Sequence, residues 1–200
     1  IMDPLKAKVE AELGVKLLTV MYLGKRQINL KGDKEIKTPA DMAGIKLRMP
    51  GSDAWQFLGS ALGASPVPIA FPELYTALQT GAVDGQDNPL PTVIDSKFYE
   101  VTNQVVLTSH LVDLNYLTIS KAAWDAMTPE QQAATQAAAE AAAEHARGLQ
   151  LQKEADAVAF LTDKGLKVYE PDVAAFRTKV QADYLASDYA KDWPAGMLDR

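Results

Sequence analysis

Between residues 45 and 90 the sequence repeats one local pattern three times: a short apolar segment, a turn, and a segment with helical character. The apolar segments have the length and composition of buried strands and lie at 45–48 (IKLR), 66–69 (PVPI) and 82–86 (AVDGQ). The helices that follow are predicted at 53–62, at 72–80 and after Asn88-Pro89, with proline or glycine near their ends. This alternation predicts an α/β fold in which helices cover a parallel sheet.

The longest predicted element begins at Thr128. The sequence Thr128-Pro129-Glu130-Gln131 is a capping-box pattern with proline at the first helical position. From there to about Asp163 only Gly148 interrupts an alanine-rich segment, which is compatible with one helix of about 50 Å or with two helices that meet at Gly148. The other predicted elements are helices at 3–13, 38–41, 171–187 and 189–199, and strands at 16–22, 26–30, 103–107, 114–119 and 165–168.

The composition excludes several classes of protein. Of the 200 residues, 48% are hydrophobic and 23% are charged, as in ordinary globular proteins. There is no cysteine, which excludes disulfides, thiolate zinc sites and cysteine nucleophiles. The 26 acidic residues outnumber the 20 basic ones, and no basic block supplies the clustered positive charge that nucleic acids require. No apolar run approaches the roughly 18 residues of a membrane span, so we expect neither nucleic-acid binding nor membrane insertion.

Motifs of catalysis and metal binding are mostly missing. The sequence has no HExxH, GxSxG or P-loop motif. Of its two histidines, His110 is predicted to be a hydrogen-bonded structural residue and His145 to be solvated on a helix, a placement that disfavours a catalytic triad and a histidine metal site. Asp84, Asp87 and Asn88 offer oxygen ligands, but their spacing lacks the rest of an EF-hand loop. We therefore expect no metal, no cofactor and no catalytic residues.

Three side chains of different chemistry are predicted at the carboxyl ends of the repeated strands: Arg48, Phe71 and Asn88. Ligands of open α/β sheets bind at this edge, and arginine can hold a carboxylate with two parallel hydrogen bonds. The sequence therefore favours a site for a small anion. Each residue also has a purely structural interpretation: Arg48 can lie on a solvated strand face, Asn88 can cap the next helix, and Phe71 can belong to the core.

A long stretch of the chain resembles a known family. Residues 44–89 contain GIKLRMP and then LGASPVPIAFPELYTALQTGAVDGQDNP. These motifs resemble the substrate-binding proteins of TRAP transporters, the DctP family, which includes sialic-acid and C4-dicarboxylate binders. The similarity continues through KFYEV at 97–101 and the strand at 114–120 into the alanine-rich helix, and it covers essentially the whole chain.

The resemblance implies roles for four residues. Arg48 matches the family arginine that pairs with a ligand carboxylate, and Asn88 matches the asparagine that assists it. Phe71 matches an aromatic residue that packs near the ligand. Arg26 matches a second ligand-contacting arginine of the sialic-acid binders, although a small insertion around 31–35 lengthens its spacing to Arg48.

The resemblance also implies a two-lobe fold of the periplasmic-binding-protein type II kind, with parallel-sheet lobes joined by hinge strands and by a long helix that spans both lobes. The N-terminal part of the first lobe is expected to be absent from this chain. The expected division is 1–23 for the end of the first lobe, 24–113 for the second lobe with the ligand-clamping residues, 114–153 for the return to the first lobe, and 154–200 for C-terminal helices that pack on the second lobe.

The function implied by the resemblance is the periplasmic capture of a small carboxylate-bearing organic acid, such as a sugar acid or a C4-dicarboxylate. The ligand is then delivered to TRAP-type membrane permease subunits, with no reaction catalysed. Two alternatives stay open. A ligand-sensing module on the same fold needs the same binding site. The other alternative is an enzyme that acts on a small organic acid, for instance a hydrolase that uses Asp84 or Asp87. The sequence does not name the organic acid.

Overall fold

The computed structural model describes residues 2–191, with side-chain burial from residue 6 onward. The helix predicted at 189–199 therefore lies largely outside the described residues. The helices and strands are α1 (Met2–Leu13), β1 (Val15–Leu30), β2 (Lys46–Met49), α2 (Asp53–Ala61), β3 (Ser65–Pro68), α3 (Leu74–Thr80), β4 (Gly85–Pro89), α4 (Leu90–Asp95), β5 (Gln104–Ser120), α5 (Lys121–Asp125), α6 (Pro129–Asp163), β6 (Lys167–Tyr169) and α7 (Val173–Leu185). Short 3-10 helices lie at Pro39–Met42, Phe71–Glu73, Phe98–Glu100 and Asp188–Ala190.

The six strands form one sheet in the order β3-β2-β4-β1-β5-β6. The strands of the repeated units pair as the alternation predicts, because β2 is parallel to both β3 and β4. β5 is likewise parallel to β6. β1 runs antiparallel to β4, with Arg26 opposite Pro89 and Leu30 opposite Gly85. The sheet is therefore mixed rather than fully parallel. The repeated pattern predicts only β2, β3 and β4, and β1 precedes this pattern in the sequence.

In two places, two strands that the sequence predicts as separate form one long strand. β1 joins the segments predicted at 16–22 and 26–30, and β5 joins those predicted at 103–107 and 114–119. Both long strands contain a residue with positive φ, Gly24 at 133° and Ser109 at 45°. The sequence predicts two separate strands in each region, but the chain stays extended on both sides of these points.

The helix α6 is continuous over 35 residues, so the single-helix interpretation is confirmed and the alternative of two helices meeting at Gly148 is wrong. The predicted capping box is present: the Thr128 N–H donates to Gln131 Oε1 at 2.9 Å, and the Gln131 N–H donates to Thr128 Oγ1 at 3.3 Å. Because alanine has the highest helix propensity, a single glycine costs too little to end a helix of this composition.

The chain forms two compact units. The first consists of Ile1–Gly24 and Val112–Asp156, and the second of Lys25–Leu111 and Ala157–Arg200. Within the first unit, hydrogen bonds join α6 to β1. Gln136 Nε2 donates to the Leu18 carbonyl at 2.9 Å, and the Tyr22 hydroxyl donates to Glu154 Oε2 at 2.7 Å.

Within the second unit, apolar side chains cover both faces of the sheet. The adjacent residues Val105 and Val106 of β5 point to opposite faces and belong to different clusters. One cluster packs the strand residues Ile28, Leu47 and Met49 against α2 and α7; the other packs α3 and the C-terminal end of α6 around Phe98. Across residues 2–191, no helix is both long enough and apolar enough to cross a membrane.

Candidate functional site

Arg48 is a buried arginine whose guanidinium is only partly hydrogen-bonded among the described residues. Its neighbours Leu47 and Met49 face the core on one side of β2, so Arg48 points to the other side. The side chain is 3% exposed, which makes the interpretation as a solvated residue wrong. Nε donates to the Ile69 carbonyl at 2.8 Å. Among the described residues, no hydrogen bond or ion pair engages the two terminal nitrogens.

The electrostatic setting of Arg48 favours an anion. Burial lowers the pKa of Arg48, the negative charge of Asp87 opposes this shift, and the positive charge of Arg26 adds to it. A carboxylate that reaches the Arg48 guanidinium therefore stabilises this buried positive charge. The planar guanidinium can meet such a carboxylate with two hydrogen bonds.

Phe71 begins the 3-10 helix after β3 and lies beside Arg48. The Arg48 Cζ atom is 5.8 Å from the centroid of the Phe71 ring. The ring meets buried Phe98 edge-on, with centroids 5.8 Å apart. Because 44% of Phe71 is exposed, the interpretation as a core residue is wrong. The ring therefore offers an apolar surface beside the guanidinium.

Asn88 shares a sheet face with Arg48. The register of β2 and β4 places Arg48 beside Gln86, and Asn88 follows two residues later on the same face. Asn88 is 6% exposed, and its Nδ2 donates to Gln86 Oε1. The helix α4 is capped by Pro89, so the interpretation of Asn88 as a helix cap is wrong. The structure thus brings Arg48, Phe71 and Asn88 to one side of the sheet.

Arg26 lies at the same end of the strands but on the opposite face. It pairs with Pro89, whereas the next residue of β1 pairs with Asn88. Its Nε donates to Asp87 Oδ2 at 2.7 Å, and an Nη atom donates to the Asp87 carbonyl at 2.6 Å. Its Cζ is 4.5 Å from the centroid of the Trp55 ring. Asp87 and Trp55 hold Arg26 in place, so it is tied to the protein far more than Arg48 is.

Asp87 is the centre of a buried charged cluster. His110 Nε2 lies 3.2 Å from Asp87 Oδ2, and His110 Nδ1 lies 2.7 Å from the Thr108 hydroxyl. A carboxylate only accepts, so His110 donates to Asp87 from Nε2. Burial acts to raise the pKa of Asp87, but the hydrogen bond from His110 and the charge and hydrogen bond of Arg26 outweigh it and lower the pKa below its ordinary value. His110 is thus hydrogen-bonded through both ring nitrogens, as predicted.

The hypothesis of a cation site at 84–88 does not fit these contacts. Asp84 Oδ2 accepts from the Lys46 backbone N–H at 2.8 Å, whereas Asp87 faces Arg26 and His110. Within residues 2–191, no group of three or more histidine or acidic residues is placed to hold a metal ion. The sequence did not reveal the role of Asp87 as the partner of Arg26, because the two residues are 61 positions apart.

Comparisons with known proteins identify the family of the chain. Residues 1–192 match the model of the DctP family, described as bacterial extracellular solute-binding protein, family 7. The chain belongs to this family. The predicted resemblance to TRAP substrate-binding proteins and the α/β fold that it implies are therefore confirmed.

Named members of the DctP family show how much of a complete protein this chain represents. It is 34% identical over 174 residues to the sialic acid-binding periplasmic protein SiaP of Vibrio cholerae. This alignment covers 86% of this chain and 53% of SiaP. A TRAP periplasmic solute-binding protein of Roseobacter denitrificans, solved with bound 3-deoxy-D-manno-oct-2-ulosonic acid (KDO), is 63% identical with a TM-score of 0.96, over 99% of this chain and 66% of that one. A second from this organism, solved with bound L-galactonate, is 34% identical with a TM-score of 0.86, over 94% and 63%. The chain thus spans between about half and two thirds of these proteins.

Proposed function

We propose that the protein containing this chain captures a carboxylate-bearing sugar acid in the periplasm and delivers it to TRAP-type membrane permease subunits. The observation that carries this proposal is Arg48, a buried guanidinium with terminal nitrogens that bond to nothing else among the described residues. In this role Arg48 binds the carboxylate, Asn88 adds a hydrogen bond, and Phe71 lines the apolar side of the ligand.

Within this function we propose the following lobe assignment. The first unit, which corresponds to the predicted segments 1–23 and 114–153, is part of one lobe. The second unit corresponds to the predicted segments 24–113 and 154–200 and forms the lobe with the clamping residues. What supports the assignment is that Arg48, Phe71, Asn88 and Arg26 all belong to the second unit.

KDO is the first ligand to test. The neighbour solved with KDO shares 63% of its aligned residues with this chain, whereas the one solved with L-galactonate shares 34%. Both ligands carry one carboxylate and several hydroxyls. This chemistry suits one arginine, one amide and one aromatic ring.

The proposed protein is a binding protein and not an enzyme. Asp87, one of the two acids that a hydrolase would use, is occupied by Arg26 and His110. Asp84 Oδ2 accepts a hydrogen bond from the Lys46 backbone N–H. We expect a bound sugar acid to be recovered chemically unchanged after prolonged incubation, as measured by mass spectrometry.

A thermal-shift screen of the full-length protein tests the proposal. The panel contains KDO, L-galactonate, sialic acid and D-glucuronate, each at about 100 times its dissociation constant, where binding adds about 2.7 kcal/mol of stability. A ligand that raises the melting temperature should lose this effect in Arg48→Ala and keep it in Arg177→Ala, which removes an exposed arginine of α7. Binding that survives Arg48→Ala would show that the clamp is elsewhere. Uptake by vesicles that carry the permease subunits distinguishes transport from ligand sensing.

A further inference from the structure

A chain of hydrogen-bonded amides leads from Asn88 into the interior of the second unit. Asn88 Nδ2 donates to Gln86 Oε1 at 2.5 Å, and Gln86 Nε2 donates to Asn29 Oδ1 at 3.3 Å. Asn29 Nδ2 then donates to Thr102 Oγ1 at 2.7 Å and to the Gln104 backbone carbonyl at 3.0 Å. All five residues are at most 9% exposed. A buried amide destabilises the core unless its polar groups are hydrogen-bonded. A chain of three buried side-chain amides therefore points to a function beyond stability.

The far end of the chain fixes the direction of every donor in it. A backbone carbonyl can only accept, and the Thr102 hydroxyl directs its single hydrogen to the Phe98 carbonyl at 2.8 Å. Both atoms therefore accept from Asn29, which must turn its Nδ2 toward them and its Oδ1 toward Gln86. Gln86 in turn must offer its Nε2 to Asn29 and its Oε1 to Asn88. The amide of Asn88 is thus held in one of its two orientations.

We propose that Gln86 and Asn29 are positioning residues for ligand binding, because they fix which atoms of Asn88 face the ligand. Asn88 donates one N–H to Gln86 and keeps Oδ1 and its second N–H, which bond to no other group within the described part of the chain. A prearranged amide avoids the entropy that ordering it during binding would require. The proposal rests on the proposed function, since it takes Asn88 as a ligand contact.

Two matched variants of the full-length protein test the proposal. Asn29→Leu cuts the link between Gln86 and its anchor and leaves Arg48 and Asn88 in place. Gln104→Leu removes an equally buried amide of the same sheet, whose side chain bonds elsewhere and whose backbone carbonyl remains. With KDO and L-galactonate in titration calorimetry, we expect Asn29→Leu to weaken binding by about tenfold, the scale of one hydrogen bond. Gln104→Leu should stay within about twofold of the wild type, the scatter allowed for independent sites.

A double-mutant cycle separates positioning from a general loss of structure. In an Asn88→Ala background, Asn29→Leu should cause no further loss of affinity, because there is no amide left to orient. Three results overturn the proposal: wild-type affinity in Asn29→Leu, an equal loss in the Asn88→Ala background, or an equal loss in the Gln104→Leu control.

A ligand-free measurement decides the matter if the variants do not fold or if no probe binds. In the NMR spectrum of the wild-type protein, one side-chain N–H of Asn88 should exchange slowly with water and show a coupling across its hydrogen bond to the side-chain carbonyl of Gln86. The exposed Asn115 provides the fast-exchange reference. Fast exchange of both Asn88 protons overturns the amide chain. Failure of the wild type to bind any panel acid, with the Asn88 proton still protected, counts against the proposed function alone.

Discussion

At the scale of single residues, the planar shape of the Arg48 side chain matters as much as its charge. Lysine at this position would keep the positive charge but lose the fork that can meet both carboxylate oxygens. We expect Arg48→Lys to weaken sugar-acid binding by about tenfold and Arg48→Ala by about 100-fold, in keeping with about 1.5–3 kcal/mol for a charged hydrogen bond. Titration calorimetry of both variants checks this order. Equal affinities of the lysine and alanine variants would show that charge alone is recognised.

The two arginines should differ in what their removal does to stability. Arg26→Ala leaves Asp87 buried without its cationic partner and should lower the free energy of unfolding by about 3 kcal/mol or more. Arg48→Ala removes one hydrogen bond to a backbone carbonyl and should cost only about 1 kcal/mol. Urea unfolding of both variants at pH 7 tests this contrast. A larger loss in Arg48→Ala than in Arg26→Ala would reverse the roles given to them here.

The residues that the sequence could locate are those at the ends of regular elements. Arg48 and Asn88 follow from the strand pattern alone, since strands that end together bring their last residues together. The partner of Arg26 could not be found in this way, because Asp87 is chosen by the pairing of β1 with β4. Asn29 carried no sequence signal, since its place in the amide chain depends on Gln86, Thr102 and a backbone carbonyl far along the sequence.

At the scale of secondary structure, α6 offers a direct test of helix propensity. Gly148 lies inside the helix, and a Cβ atom built there meets nothing within 4 Å. Gly148→Ala should therefore stabilise the protein by about 0.5–1 kcal/mol, because alanine loses less backbone entropy in a helix. The measurement is the midpoint of thermal unfolding. An unchanged or lowered midpoint would mean that the helix is less regular at this point than the structure shows.

Gly63 provides the matched contrast. Its φ is +92°, and a Cβ atom there would lie 2.2 Å from the Pro39 carbonyl oxygen. Gly63→Ala should destabilise the protein by about 1–3 kcal/mol through backbone strain and this clash. The same substitution thus has opposite signs at two positions, which separates the effect of helix propensity from that of adding a methyl group.

Local patterns predicted the helices of this chain better than its long strands. The capping box at Thr128 and the alanine content of α6 are local features, and they are sufficient to predict this helix. The strands β1 and β5 each contain a positive-φ residue and polar neighbours, which locally resemble a loop. Their continuity depends on neighbouring strands, and a sequence pattern does not report those contacts.

At the scale of the whole molecule, the sheet order could be predicted only in part. The repeated units predict β2, β3 and β4 as parallel strands, but β1 carries no sign that it pairs with β4 in the opposite direction. The antiparallel pairing of β1 with β4 has a chemical consequence. It brings Arg26 beside Asp87, so the sheet topology itself creates the buried charged cluster of the second unit.

This cluster should make stability depend on pH in a defined direction. The pKa of Asp87 is lower in the folded protein than the value of about 3.9 that it has when unfolded. The unfolded state therefore binds the proton more readily, and the stabilisation is complete above about pH 4 and is lost as the pH falls through the folded pKa. Arg26 and His110 are the charged and titratable groups that face the carboxylate, and Arg26 keeps its charge throughout.

Asp87→Asn isolates this contribution. At pH 5 the variant should be about 3 kcal/mol less stable than the wild type, because it removes the charge that holds buried Arg26. The difference should shrink as the pH falls from 4 toward 2, since the wild type loses the same charge by protonation. Asp188→Asn, at a carboxylate that is 88% exposed, should show almost no difference at either pH. Urea unfolding at four pH values gives both curves, and a gap between wild type and Asp87→Asn that stays constant down to pH 2 would mean that the Asp87 charge does not stabilise the fold.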